Sequence, residues 1–128
     1  MEERDVLLKN IRPQIEAEIG NINPPEQFQN EVLRPILKLQ NEIILAHFKS
    51  YLKQHKMPFT ALKQSAQKET IQNSIKRDLS LRNQLVPLIT SMLTVEEYKY
   101  FSSNRADVAK RIVGMVIQRL QSQLQALY

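Results

Sequence analysis

Apolar residues recur every three or four positions along most of this 128-residue chain, and alternation of apolar with polar residues is almost absent. A spacing of three or four places apolar side chains on one face of a helix, whereas a strand needs a spacing of two. Only two glycines interrupt the pattern. The sequence therefore predicts an all-α protein, a single compact domain (1–128) built as a bundle of five or six helices.

The first half of the chain predicts two helices that each contain a proline. The first helix spans about residues 3–19, with a kink or a split at Pro13 because the ring removes a backbone hydrogen bond. Its expected inner stripe is Leu7, Leu8, Ile11, Ile15 and Ile19. Asn23 should cap a long second helix, 24–54, which Pro35 bends from its outer face.

The second half predicts a break near residues 67–70, where the phase of the apolar positions changes, followed by one helix over about 71–93. Thr94 and Glu97 have the spacing of a capping box, which opens a short helix. Asn104 should cap a long C-terminal helix. Its apolar residues cover about 200° of the circumference. That helix should therefore either lie at the centre of the bundle or use its second side at a subunit interface.

Charged and amide side chains interrupt the apolar faces of three predicted helices. Asp78 and Arg82, for example, fall one turn apart among the apolar residues of the 71–93 helix. An isolated buried charge is costly, so such side chains should find one another, water, a ligand or a second subunit. The predicted interior polar cluster consists of Gln40, His47, Asp78, Arg82, Arg119 and Gln123.

Three interpretations of this cluster stay open. The first is a hydrogen-bonded network that fixes helix register, which is the usual state of buried polar groups. The second is a ligand pocket in which Arg82 and Arg119 bind an anion and His47 exchanges a proton. The third is a seam between two subunits. The first interpretation is favoured, because perturbed polar groups mark a functional site only some of the time.

Composition limits the compartment and the chemistry. The chain has no cysteine, which excludes disulfides, Cys-ligated zinc and thiol nucleophiles, and makes a reducing cytoplasm the simplest compartment. No apolar run approaches the roughly 18 residues of a membrane span, so no membrane association is expected. The sequence also lacks phosphate-binding glycine loops, nucleophile elbows and metal-ligand spacings. We therefore expect no cofactor, no metal and no catalytic residue, and the interpretation leans away from an enzyme.

The net charge of +5 raises the alternative of nucleic-acid binding. The densest basic group lies on one face of the second helix, and two more cations follow later in the chain. The candidate phosphate contacts are Lys49, Lys53, Lys56, Lys76 and Arg77. No nucleic-acid motif or set of stacking aromatic residues accompanies these charges, so a solvated basic face is the preferred interpretation.

Residues 28–30, 33–41, 78–83 and 97–98 resemble segments of small bacterial helical proteins, some of which are labelled as glyoxalases. The resemblance covers most of the chain. Established glyoxalases have β-rich or metallo-hydrolase folds with His and Glu metal ligands, and this sequence shows neither. The resemblance therefore implies no activity, and no functional residue follows from it.

Together these patterns predict a non-enzymatic protein that acts by binding. Self-association or a protein partner is the leading hypothesis, because the C-terminal helix is apolar over more than one packed face. Nucleic-acid binding through the basic face is one alternative. The other is a small anionic ligand or metabolite held around the interior polar cluster.

Overall fold

The computed structural model of the protein describes residues 2–15 and 23–128. Within them, 82% of residues are helical and no strand occurs, so the all-α prediction is confirmed. The α-helices are α1 (Glu2–Ile11), α2 (Pro24–Phe28), α3 (Arg34–Leu39), α4 (Asn41–Gln54), α5 (Gln64–Arg77), α6 (Leu79–Thr90), α7 (Val95–Ser103) and α8 (Arg105–Gln121). The described part thus has more helices than the five or six expected, because local breaks divide the long ones.

Helix α1 ends at Ile11, earlier than the expected position near residue 19. Proline disfavours helical geometry in the residue before it, so Pro13 stops the helix rather than kinking it. The expected inner stripe is wrong at Leu7 and Ile11, which are 58% and 53% exposed, whereas Leu8 and Ile15 are half-buried. The remainder of that expected helix, with Ile19, lies outside the described residues.

Asn23 caps α2 as predicted, with its Oδ1 accepting the Glu26 backbone N–H at 3.1 Å. The chain then passes through a π-turn, Gln29–Leu33, in which the Arg34 N–H bonds to the Gln29 carbonyl five residues back. The π-turn accommodates Pro35 in the next turn of helix, because proline has no backbone N–H to donate to a carbonyl of the preceding turn. The extra residue also rotates the helix register, so Pro35 is buried and its expected outer position is wrong.

A second break lies at Gln40, whose backbone (φ −90°, ψ 8°) separates α3 from α4. Because of this break, the positions that face the core in α4 cannot be obtained by counting 100° per residue from α3. Ile43 is therefore 49% exposed, and Phe48 is fully buried. Other buried residues of this part of the chain are Leu33, Ile36, Leu37, Ile44 and Leu52.

Helix α4 ends in a left-handed turn. Lys56 has φ 52°, and the Met57 N–H bonds to the Leu52 carbonyl at 3.0 Å. This six-to-one bond defines a Schellman motif, whose left-handed position is usually occupied by glycine. Lysine carries a Cβ that crowds the backbone in this conformation, so the turn holds local strain.

The expected helix over 71–93 does not exist as one element. Helix α5 runs without a break through residues 67–70 and ends at Arg77, and α6 begins at Leu79. The predicted break at 67–70 is therefore wrong. Asp78 forms the real break, because its carboxylate caps α6 instead of pointing inward from the middle of a helix.

The capping box of α7 is present as predicted, with Thr94 and Glu97 satisfying each other's backbone N–H groups. Helix α8 packs on α5, α6 and α7, and it buries Val108, Ile112, Val116, Ile117 and Leu120. Its wide apolar arc is thus used inside the chain. Asn104 precedes α8 as expected, but its side chain bonds to the Tyr100 carbonyl instead of capping.

Buried apolar residues from Phe28 to Leu127 form one core cluster, to which the described part of α1 contributes none. Within residues 2–15 and 23–128, no helix is both long and apolar enough to cross a bilayer.

Candidate functional site

The six residues of the predicted interior polar cluster do not meet at one place. Asp78 is only half-buried at the start of α6, where its Oδ1 accepts the Leu81 backbone N–H at 3.2 Å. Its Oδ2 accepts the Tyr51 hydroxyl at 3.0 Å. The Leu81 bond first, and then the Tyr51 bond, hold the pKa of Asp78 below its usual value. Burial, together with the bond to Asp78, raises the pKa of Tyr51. Asp78 thus links α4 to α6.

Arg82 does not pair with Asp78, and the expected ion pair between them is absent from the described residues. The two expected neighbours diverge because Asp78 lies outside the helix that carries Arg82. The Arg82 Nε atom is buried and has no hydrogen-bond partner among the described residues. The side chain lines a groove beside α8 instead.

Gln40 and His47 make separate contacts with α6. The Gln40 amide donates to the Leu88 carbonyl at 2.9 Å, which satisfies a carbonyl in the last turn of α6. His47 Nε2 lies 2.9 Å from Gln84 Oε1 on the protein surface. Among the described residues, no group of three His, Asp or Glu side chains is arranged to hold a metal ion.

Arg119 and Gln123 do lie together, around an amide that no sequence pattern singled out. Asn41 and Gln123 exchange two side-chain hydrogen bonds of 2.8 and 2.9 Å. The Asn41 Oδ1 atom also accepts Arg119 NH1 at 3.3 Å. Partial burial lowers the pKa of Arg119. The predicted cluster therefore divides into separate, locally bonded groups.

The candidate nucleic-acid contacts fall into two groups. Lys49, Lys53 and Lys56 are exposed along α4 and its C-terminal turn, whereas Lys76 and Arg77 are exposed in the last turn of α5. Lys76 also borders the groove that contains Arg82.

An ion pair that no sequence pattern indicates holds the end of α1. Arg12 binds both carboxylate oxygens of Glu97, at 2.6 and 2.8 Å, and donates to the Met92 carbonyl at 3.1 Å. The two side chains are only 9% and 12% exposed. Burial raises the pKa of Glu97, but the bonds from Arg12 and Thr94 outweigh it, and the pKa lies below its usual value.

Two further residues of α1 bind the same turn between α6 and α7. Arg4 donates to the backbone carbonyls of Ser91 and Leu93, at 2.9 and 3.0 Å. Asp5 accepts the Val95 backbone N–H at 3.3 Å, at the first turn of α7. Helix α1 is thus attached through the polar side chains of Arg4 and Asp5, and of Arg12, which directly follows the helix.

The exposed side of α1 carries three apolar side chains, with the exposed Asn10 between two of them. Val6, Leu7 and Ile11 are 56%, 58% and 53% exposed, and they share one helical face with the exposed carboxylate of Glu3. We refer to these four residues as the α1 outer face. Exposed apolar patches of this kind mark interaction surfaces.

A groove of about 540 Å³ lies between the α5–α6 junction and α8. Leu79, Val86 and Val113 supply apolar surface, and Leu79 is 60% exposed. Three cations surround that surface: Lys76, Arg82 and Lys110. No carboxylate lines the groove within the described residues. We refer to it as the basic groove; it suits a ligand that is apolar in the middle and acidic at its edge.

Sequence patterns indicated these two surfaces only in part. Arg82 and Lys76 were both singled out as candidates, although for a pocket and for phosphate contacts. Leu7 and Ile11 of the α1 outer face were expected inside the protein, so the exposure of these two residues was not foreseen. No protein-family model, no curated protein and no solved structure matches the chain.

Proposed function

We propose that this protein acts by binding, without catalysis, and that its partner is a second copy of the same chain. The α1 outer face of one copy docks into the basic groove of another. One observation carries the proposal: the chain presents an exposed apolar helix face with a carboxylate, and elsewhere an apolar groove surrounded by cations.

The apolar parts of the two surfaces favour association. Val6, Leu7 and Ile11 are each more than half exposed, and Leu79 in the groove is equally open. Complete burial of one such side chain contributes roughly 1.5–3 kcal/mol before the cost of association is subtracted. Because these four side chains are already partly buried in the single chain, each contributes only part of that value. Their burial favours the contact, and its strength is what the experiment below measures.

The charged parts of the surfaces select the orientation. Glu3 lies one turn before Val6 and Leu7, so its carboxylate flanks the stripe that enters the groove. In the second copy it faces the cations Lys76, Arg82 and Lys110. Complementary charge steers encounter and disfavours wrong partners more than it adds affinity.

The proposed contact joins two different surfaces, so a reciprocal exchange of α1 between two copies gives an isologous interface, whereas a one-way contact gives a heterologous interface. Two copies that exchange α1 reciprocally form a closed dimer. If the geometry prevents closure, the same contact repeats and builds a ring or a filament. The wide apolar arc of α8 argues for neither form, because most of it packs against α5, α6 and α7, and only its edge residues Val113 and Met115 are half-buried.

A mixing experiment tests this proposal by sedimentation velocity over a range of concentrations. The wild-type protein should associate, whereas Leu7→Asp and Leu79→Asp should each remain monomeric. An equimolar mixture of the two variants should form a heterodimer, because one intact groove meets one intact α1 outer face. A contact between two identical surfaces could not be restored in this way.

Ile43→Asp provides the matched control, since Ile43 is also a half-exposed apolar residue but lies on α4, away from both surfaces. It should associate like the wild type, and thermal unfolding should show that all three variants fold. Association should weaken as sodium chloride rises from about 0.05 to about 0.5 M, because the charged rim is screened. A wild-type protein that stays monomeric at high concentration, or a mixture that remains monomeric, would overturn the proposal.

A further inference from the structure

A second cavity, of about 460 Å³, lies between the C-terminal half of α8 and the segment formed by the π-turn and α3. Three cations line it: Arg34, Lys38 and Arg119. Gln29 and Gln118 add side-chain amides. No carboxylate belongs to its lining among the described residues. We propose that this cavity, which we name the anion pocket, binds a small organic molecule that carries a phosphate group.

Arg119 is the innermost cation of the anion pocket. It is half-buried, and Asn41 fixes the guanidinium through a single 3.3 Å bond to NH1. A guanidinium has five N–H donors, so most of them stay available for a ligand. No carboxylate of the described residues lies within ion-pair distance of Arg119. A half-buried cation without a neutralising partner in reach favours the binding of an anion.

The neighbouring polar groups are oriented by bonds outside the pocket. Gln29 Oε1 accepts Arg111 NH1 at 2.8 Å, which leaves the Gln29 amide N–H groups as donors. Ser122 also lines the pocket, but its hydroxyl proton is donated to the Arg119 carbonyl at 2.7 Å. The donors that would hold an anion therefore come from Arg34, Lys38, Arg119 and Gln29.

The chemistry of these donors selects phosphate over a simple halide. Arginine presents paired N–H groups that match two phosphate oxygens, and lysine adds a point charge. The volume of about 460 Å³ is also larger than inorganic phosphate requires and lies in the range of small-molecule sites. Met115 and Ile15 give one wall apolar character. An organic group attached to the phosphate would contact that wall.

Isothermal titration of the full chain with defined probes tests this inference. The probes are inorganic phosphate, glucose 6-phosphate, adenosine monophosphate and a single-stranded oligonucleotide. At least one of the two organic monoesters should bind more tightly than inorganic phosphate. Arg34→Gln and Arg119→Gln should each weaken that binding at least about tenfold, since each removes a charge-assisted hydrogen bond.

Control variants establish whether the monoesters bind in the anion pocket itself. Arg34 is exposed, so Arg34→Gln keeps the test valid even if Arg119→Gln unfolds. Lys49→Gln removes an exposed cation on α4 and should bind the monoesters like the wild type. The monomeric Leu7→Asp chain should also bind them normally, because the anion pocket and the self-association surfaces share no residue.

Three results would overturn the inference. One is that neither monoester binds, and another is that inorganic phosphate binds as tightly as both of them. The third is that Lys49→Gln weakens binding as much as Arg34→Gln, with the oligonucleotide as the tightest probe. That outcome would indicate a diffuse basic surface for nucleic acid.

Discussion

Helices α1 and α8 are both amphipathic, yet they are attached to the protein in opposite ways. Helix α8 buries its apolar face against three other helices, with Ile112 and Leu120 fully enclosed. Helix α1 is held by Arg4, Asp5 and Arg12, and its apolar face is turned outward. Apolar spacing therefore identifies which residues share a face, but polar anchors can decide which way that face points.

The largest effect should come from the anchor of α1. Arg12→Ala leaves the Glu97 carboxylate buried without its ion-pair partner, which should lower the free energy of unfolding by about 3–5 kcal/mol. Asp107→Asn is the matched control, because it breaks only the exposed pair with Arg111, which contributes about 0.5 kcal/mol or less, and leaves the Arg111–Gln29 bond in place. Urea denaturation measures both. Equal losses would show that the Arg12 pair is no stronger than a surface pair.

The apolar faces of the two helices should respond differently to the same kind of truncation. Ile112→Ala empties part of the core and should lower the free energy of unfolding by about 2–5 kcal/mol. Leu7→Ala on the α1 outer face should change it by no more than about 0.5 kcal/mol. Both values are measured on dilute protein, where self-association is negligible. A large loss for Leu7→Ala would mean that α1 packs its apolar face against the chain.

Acid should weaken the attachment of α1 before the core is affected. The pKa of Glu97 is lowered in the folded protein, so its contribution to stability is complete above its unfolded pKa of about 4.3 and is lost as the pH falls through the lower, folded value. Thermal unfolding between about pH 5 and pH 2 should show this decline. Glu97→Gln should flatten it only in part, because Asp78 also has a lowered pKa. An unchanged decline in Glu97→Gln would assign the acid sensitivity to other groups.

Capping signals in the sequence were more reliable than phase counting over long distances, although Asn104 does not cap α8. Asn23, Thr94 and Glu97 could be identified because a cap joins residues only three apart. The expected inward position of Asp78 was wrong, because a capping residue ends one helix and starts another. The helical phase of the residues after Asp78 therefore cannot be counted from the residues before it. The π-turn and the break at Gln40 had the same effect on the second helix.

Most contacts of the candidate site could not be predicted from the sequence, because they join residues that are far apart along the chain. Arg12 and Glu97 are 85 residues apart, and the sequence holds no signal that joins them. Arg82 and Lys76 were recognised as unusual, but the groove that unites them with Lys110 exists only once α8 packs beside α5 and α6. Exposure of the α1 outer face likewise depends on where three polar anchors find acceptors.

Lys56, in the turn that ends α4, offers a way to stabilise the protein for these experiments. Lys56 occupies a left-handed conformation in which a side chain is crowded, and Lys56→Gly should raise the free energy of unfolding by up to about 1 kcal/mol. Lys56 belongs to none of the α1 outer face, the basic groove and the anion pocket. The more stable Lys56→Gly protein would stay folded when destabilising substitutions are made in the α1 outer face, the basic groove or the anion pocket, so their effects on binding could be compared. An unchanged urea denaturation midpoint for Lys56→Gly would show that the turn holds no strain.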